Sequence, residues 1–274
     1  MKSEKRTLGI LFVITMIVLT IAYALPMYVV LITSLKTPLE ISQRQYLIPS
    51  ANLQFQNYAQ AFKLILPALL NSTIISFSVT ALCAFFGGLG GYYLSRTRTT
   101  FSKTVFILVG VAVYLPYQVI LIPLIQFMAK TGLALTHFGL IASYLILNFP
   151  LASVLMGTFF LGIPVEMEEA AEVDGASKIQ IFFRIISPMS LPAYASVAII
   201  IFTQVWNEFL LALTLSTPNT QTIQLKLTEI KGSFVALYNL QMAAAVITLI
   251  VPLVFFLVLG QYFIKGILAG ALKG

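Results

Sequence analysis

Charge is scarce in this 274-residue chain: only 9% of its residues are Asp, Glu, Lys or Arg, against roughly a quarter in a soluble globular domain. Five stretches carry no charge at all, at residues 7–35, 64–95, 104–129, 131–165 and 232–264, and a sixth, 185–225, carries only Glu208. Each is long enough for one spanning helix of about 20 apolar residues, so a soluble domain is excluded. Cysteine is almost absent. Cys83 is the single thiol, so no intrachain disulfide forms, and its place in an apolar run marks it as a small packing residue. His137 is the single histidine; alone it builds no metal site and pairs with no GxSxG serine, and it reads as an outer-interface residue. No GxxxxGK[ST] phosphate loop occurs, which excludes ATP binding of that kind. The expectation is a chain that is not an enzyme and holds no metal or cofactor of its own. The net charge of +7 would suggest nucleic acid in a soluble protein. Here the basic residues flank apolar runs, so membrane orientation explains them and no nucleic-acid partner is expected.

What is present is an all-α membrane pattern. We expect six transmembrane helices at about 9–32, 69–94, 105–128, 138–161, 193–215 and 241–264. The first run is over-long for a signal segment and has no small-residue cleavage site, so it reads as a retained anchor. An even number of spans puts both termini on one side. Ten basic residues then share that side (Lys2, Lys5, Arg6, Arg96, Arg98, Lys103, Lys178, Arg184, Lys265, Lys273) and six face the other (Lys36, Arg44, Lys63, Lys130, Lys226, Lys231). The positive-inside rule makes the ten cytoplasmic. The domain reading is a cytoplasmic N-terminus at 1–8, a six-helix transmembrane bundle at 9–264 and a cytoplasmic tail at 265–274. Outer loops fall at 33–67 and 216–240, each open as plain connection or docking surface, and a cytoplasmic loop falls at 162–192.

Pro26, Pro116, Pro123, Pro150 and Pro252 lie within expected spans, where proline frees a carbonyl and bends a helix. Gly87 and Gly91, four apart, suit close helix packing. Glu208 is the one acid inside a span, a placement costing about 2.5–3.5 kcal/mol on insertion scales. It should face the bundle interior, a water-filled path or a partner. Gln204, Trp206 and Asn207 lie near it in sequence, and Asn148 and Gln118 are further polar candidates. Two readings stay open for this set: a path through the bundle, with the Trp206 ring free to stack on a passing solute, or a structural role in interhelical hydrogen bonding or near the outer interface.

Residues 166–192, EMEEAAEVDGASKIQIFFRIISPMSLP, hold five of the nine acids: Glu166, Glu168, Glu169, Glu172 and Asp174. Pro164 can open a helix, and acids in the first turn suit the helix dipole. Met167, Ala170, Ala171 and Asp174 fall at i, i+3, i+4 and i+7, giving an expected flat alanine face for a partner. Gly175 allows a chain reversal. A second helix from about Ser177 repeats the spacing with Ile179, Phe182, Phe183 and Ile186, and Pro188 and Pro192 end it. The result is a helix–turn–helix with an acidic, projecting first helix. An interfacial helix resting on lipid is the alternative, against which five acids argue, since anionic lipids repel them.

Residues 169–188, EAAEVDGASKIQIFFRIISP, resemble the EAA loop of the permease subunits of binding-protein-dependent ABC importers. Glu169, Ala170, Ala171, Gly175, Ile185 and Pro188 match in type and spacing, Asp174 matches the common DG form, and Ser187 stands where leucine is usual. Trp206-Asn207-Glu208-Phe209 is similar to the corresponding segment of carbohydrate permeases, and the tail 265–274 resembles the ending of the maltose-type and glycerol-phosphate-type second permease. The resemblance implies the type I ABC importer permease fold with a cytoplasmic coupling helix–turn–helix. It implies docking of 169–175 on a cytoplasmic ATPase, present in two copies, which binds the ATP and Mg. It further implies a second, homologous permease, an extracytoplasmic solute-binding protein, a sugar substrate and the inner membrane of a prokaryote. Two alternatives remain: a permease for another solute, and an ion-coupled secondary transporter using Glu208. The latter often shows inverted repeats and several intramembrane ionisable groups, neither of which is visible in the sequence.

Overall fold

A computed structural model describes residues 2–97, 99–231 and 237–271. Arg98, part of the 216–240 loop and the last three tail residues, including Lys273, lie outside it, as do the side chains of Lys2, Lys5, Arg6, Lys231 and Lys265. The helices in chain order are α1 (Lys2–Ser34), α2 (Pro38–Ser42), α3 (Gln56–Arg96), α4 (Thr100–Tyr114), α5 (Gln118–Lys130), α6 (His137–Leu161), α7 (Glu166–Val173) and α8 (Lys178–Ile181). A π turn over Phe182–Ile186 extends α8 into α9 (Ser187–Met189), followed by α10 (Leu191–Asn207), α11 (Leu210–Leu215), α12 (Ile223–Lys231) and α13 (Tyr238–Ala271). Among the described residues there is no strand.

Four helical stretches are long and apolar enough to cross a membrane: 9–34, 56–96, 137–161 and 238–262. Two further crossings are bent pairs. α4 and α5 meet at 103°, and the 178–189 segment meets α10 at 75°. Taking each bent pair as one span gives the six crossings expected, with two differences of shape. The expected 105–128 span is two helices broken at Leu115–Tyr117, around Pro116. The expected 193–215 span stops at Asn207 and resumes as α11. The expected outer loop 33–67 is also shorter than its apolar boundaries imply, because α3 begins at Gln56. At about 1.5 Å per residue its 41 residues reach roughly 60 Å, twice a hydrocarbon core. Similarly, α13 continues without a break through the first part of the expected tail, to Ala271.

The chain divides into two compact units, 1–66 with 226–250, and 67–225 with 251–274. In the first, Asn57 Nδ2 donates to the carbonyls of Ser34 (2.9 Å) and Lys36 (3.0 Å), satisfying the open end of α1. Asn239 Nδ2 donates in turn to Asn57 Oδ1 at 3.1 Å. Thr37 caps α2 in a capping box with Glu40. Lys36 is buried and donates to the Ile48 carbonyl. The loop between α1 and α3 is thus pinned by its own polar groups.

The second unit holds the main core. α3 and α6 touch at glycine. A Cβ on Gly87 would stand 2.6 Å from Ala152 Cβ, and one on Gly91 would stand 2.6 Å from the Ser153 carbonyl and 2.7 Å from the Gly157 amide. The two backbones therefore approach as the four-residue spacing implies. Cys83 is fully buried in this core. His137 Nε2 lies 2.9 Å from Asn71 Oδ1, a structural partner.

Candidate functional site

The acidic helix–turn–helix is built as two capped pieces. α7 ends in a Schellman motif: the Gly175 amide donates to the Glu172 carbonyl (3.0 Å) and the Ala176 amide to that of Ala171 (3.0 Å). The motif needs a left-handed residue, and Gly175 has φ +82 with open space around its missing side chain. The backbone, not crowding, therefore demands glycine. Ser177 then caps α8 with a capping box, its hydroxyl and the Gln180 side chain each reaching the other's amide.

Two expectations about its faces need correction. Ala171 is buried in the core, 8% exposed, and Glu168 is equally buried, so the two alanines do not form one flat outward face and not every acid projects. Glu166, Met167, Glu169, Ala170, Glu172, Val173 and Asp174 are exposed. In the second helix the spacing of Ile179, Phe182, Phe183 and Ile186 does not give one stripe. Ile181, Phe182 and Ile186 are buried, whereas Ile179 is 71% and Phe183 48% exposed. From Phe182 onward a π turn also changes the spacing. The Ser187 amide donates to the Phe182 carbonyl, five residues back, so the helix advances its faces by an extra residue. Ile185 is half-buried and packs against the core, and Pro188 opens the short α9.

A polar cluster holds this hairpin, and no sequence pattern announced it. Arg96, the last residue of α3, donates through Nε to Glu168 Oε1 at 2.6 Å and through Nη2 to the Ile163 carbonyl at 3.0 Å. Tyr92 Oη donates to Glu168 Oε2 at 2.6 Å. The Tyr92 ring packs against Phe160 of α6 and Phe182 of the π turn, at centroid distances of 5.8 and 5.1 Å.

The second candidate region is a cavity of about 640 Å³ between the α4–α5 break, α6 and α10. Its walls are mainly apolar, with polar groups from Tyr117, Tyr144, Asn148, Gln204 and Glu208. Glu208 sits at the break after α10 with φ −70 and ψ 136. It is the acceptor for four donors. Oε1 takes Tyr117 Oη (3.0 Å) and the Leu211 amide (2.8 Å); Oε2 takes Tyr144 Oη (2.7 Å) and the Ala212 amide (3.2 Å). The carboxylate therefore covers the open amides of α11 while joining α6 and the α4–α5 break to them. This is how an acid is tolerated at that depth: every lone-pair direction is used.

The other polar candidates separate. Asn148 and Gln204 line the cavity beside Glu208, Asn148 Nδ2 donating to the Tyr144 carbonyl at 2.8 Å. Trp206 does not stand open to a sugar. It is 2% exposed and stacks on Phe202 at 5.5 Å, because the helix turns that face into the core. Asn207 points away from the cavity and bonds Gln224 Nε2 at 3.2 Å. Gln118 is exposed and outside the lining, although its neighbours Tyr117, Val119 and Ile120 line the cavity. The two tyrosines were not among the sequence candidates. The available signal was Tyr117 next to Pro116, a polar residue at a proline break. Among the described residues no three His, Cys, Asp or Glu side chains converge as a metal site would require.

Residues 84–268 match the family described as "Binding-protein-dependent transport system inner membrane component". The chain is 31% identical over 260 residues to the glucose import system permease protein GlcU of Saccharolobus solfataricus, covering 92% of this chain and 91% of that one. It is 32% identical over 257 residues to the melibiose/raffinose/stachyose import permease protein MelC of Bacillus subtilis, covering 92% of each. Its fold superposes with TM-score 0.79 and 20% identity on a chain of a bacterial ABC transporter involved in import of the acidic polysaccharide alginate, covering 95% and 97% of the two chains.

Proposed function

The chain belongs to the family of binding-protein-dependent transport system inner membrane components, and from that premise we propose that it is one permease half of an ATP-driven sugar importer. The cargo class is supported by two relatives that cover nearly its whole length and are named as sugar import permeases. A second, homologous permease would complete the translocation path. Two copies of a cytoplasmic ATPase would bind and hydrolyse ATP with Mg, and an extracytoplasmic binding protein would deliver the sugar.

The observation that carries the mechanism is the α7–Gly175–α8 hairpin. Its exposed residues include acidic or small groups on α7 and its cap (Glu166, Glu169, Ala170, Glu172, Asp174) beside apolar Met167, Val173, Ile179 and Phe183. A short rigid helix with that mixture suits a cleft in a soluble partner. In this reading 169–175 docks on the ATPase, and the termini share the hairpin's cytoplasmic side, as the ten-to-six distribution of basic residues implies. Glu208 with its four donors counts against an ion relay, because releasing any donor would expose unpaired polar groups in an apolar setting.

The test is reconstitution in proteoliposomes with a second permease, the ATPase and the binding protein. The expected result is ATP hydrolysis stimulated by binding protein loaded with one sugar from a panel. Ion-gradient-driven sugar uptake by this chain alone would overturn the proposal.

A further inference from the structure

We infer that Arg96, Glu168 and Tyr92 form a positioning joint that makes α7 move as one body with the end of α3, so that a push on the exposed face of α7 reaches the α3–α6 pair. The inference rests on the reading of α7 as the docking helix, and it goes beyond that reading by assigning how the motion leaves the helix.

Three observations support it. First, of the five acids in the hairpin, Glu168 alone is buried, and both its oxygens are used, one by Arg96 and one by Tyr92. Second, Arg96 spans two pieces. Its Nε holds α7, while its Nη2 holds the Ile163 carbonyl in the connection between α6 and α7. The connection cannot swing independently of the helix it feeds. The pair is 14% and 11% exposed, in contrast to Lys226–Glu229 at 21% and 50%. A shielded, multiply bonded pair fixes direction, where an open surface pair contributes little. Third, the far side of the joint is itself stiff. The Tyr92 ring lies against Phe160 and Phe182, and α3 is seated on α6 at Gly87 and Gly91. α7 is only eight residues long, so without such a joint it would pivot on its two connections.

The experiment uses the full complex in a Cys83→Ala background, with Ala170→Cys as the reporter and a bis-maleimide to link it to a cysteine placed in the ATPase cleft. Arg96→Gln, Glu168→Gln and Tyr92→Phe are compared with the parent. We expect cross-linking and basal ATP hydrolysis to persist in all three. Sugar-stimulated hydrolysis and uptake fall about tenfold in Arg96→Gln, equivalent to about 1.4 kcal/mol of lost coupling, and by less in Tyr92→Phe. The exchange Arg96→Glu with Glu168→Arg recovers part of the loss, and cross-linking that persists in every variant separates this from a role in folding α7. Normal uptake in Arg96→Gln with cross-linking intact overturns the joint alone. Loss of cross-linking in the variants at normal protein level also overturns it, since the residues would then serve only to fold α7. Absent cross-linking in the parent overturns the docking reading and the joint with it. If Arg96→Gln does not accumulate, Tyr92→Phe decides: parental uptake overturns the joint.

Discussion

The Tyr144 hydroxyl donates to Glu208 Oε2 at 2.7 Å, joining the middle of α6 to the break between α10 and α11. The same carboxylate accepts from Tyr117, at the break between α4 and α5. One acid therefore stabilises two helix breaks at once, and both lie on the wall of the 640 Å³ cavity. Backbone interrupted at membrane depth is tolerated where it lines a cavity and its polar groups are paired, and Glu208 supplies that pairing.

Glu208→Ala should accordingly destabilise the purified protein by several kcal/mol, since two phenols and two amides lose an acceptor whose bonds to charge are worth about 1.5–3 kcal/mol each. Glu208→Gln, with one acceptor oxygen, should fall between. Thermal unfolding in detergent checks the order; a melting temperature for Glu208→Ala equal to the parent would show that the four bonds carry no stability.

The contact of α3 with α6 gives a sharper contrast between glycines. Gly91→Ala puts a methyl 2.6 Å from the Ser153 carbonyl, and overpacking of this kind costs about 1–3 kcal/mol. Gly110 has nothing within 4 Å of its missing Cβ, so Gly110→Ala should be neutral or slightly stabilising. Equal melting temperatures for the two variants would refute the close approach.

Outside the spans, the Glu40 carboxyl is held below its ordinary value of 4.5, chiefly by the Thr37 backbone amide and then by Ser50. A folded pKa lower than the unfolded one means stabilisation that is complete above the unfolded value and lost as pH falls through the folded value. Amide exchange over residues 37–43 should thus become less protected as pH drops below about 4.5, the ordinary value from which the folded pKa is lowered. Glu40→Gln should flatten that dependence, and an unchanged acid limb in the variant would assign it to another group.

Much of this organisation was legible in the chain. The charge-free runs located the four long apolar helices and the two bent pairs, the Gly87–Gly91 spacing located a backbone contact, and the DG at 174–175 located the chain reversal. What was not legible has physical causes. Hydropathy measures transfer into lipid and is blind to continuity, so it could not separate α10 from α11 or extend α3 back to Gln56. Periodicity assumes 3.6 residues per turn, and the π turn at 182–186 breaks that assumption from Phe182 onward. The Arg96–Glu168 pair joins residues 72 positions apart, and no local pattern encodes such a partner. Trp206 looked available because an aromatic beside an acid suits a sugar, but stacking on Phe202 uses its face.

The hairpin supplies the prediction that bears most directly on transport. Gly175 holds φ +82 with no neighbour within 4 Å of its missing Cβ, so the cost of a side chain there is conformational, roughly 1–2 kcal/mol for an ordinary residue and more for a β-branched one. Gly175→Val should shift the Schellman turn and re-aim α8 while leaving the apolar runs untouched. Glu169→Lys should leave the fold alone and reverse charge on the exposed face. Both variants should insert at parental levels and retain little sugar uptake or stimulated ATP hydrolysis, whereas Gly175→Asn, which tolerates the left-handed region, should keep most of it. Membrane abundance by immunoblot and uptake in reconstituted vesicles measure the two quantities separately. Parental uptake by Gly175→Val would mean that the turn geometry is not needed for coupling, and parental uptake by Glu169→Lys would remove the exposed acid from the docking face.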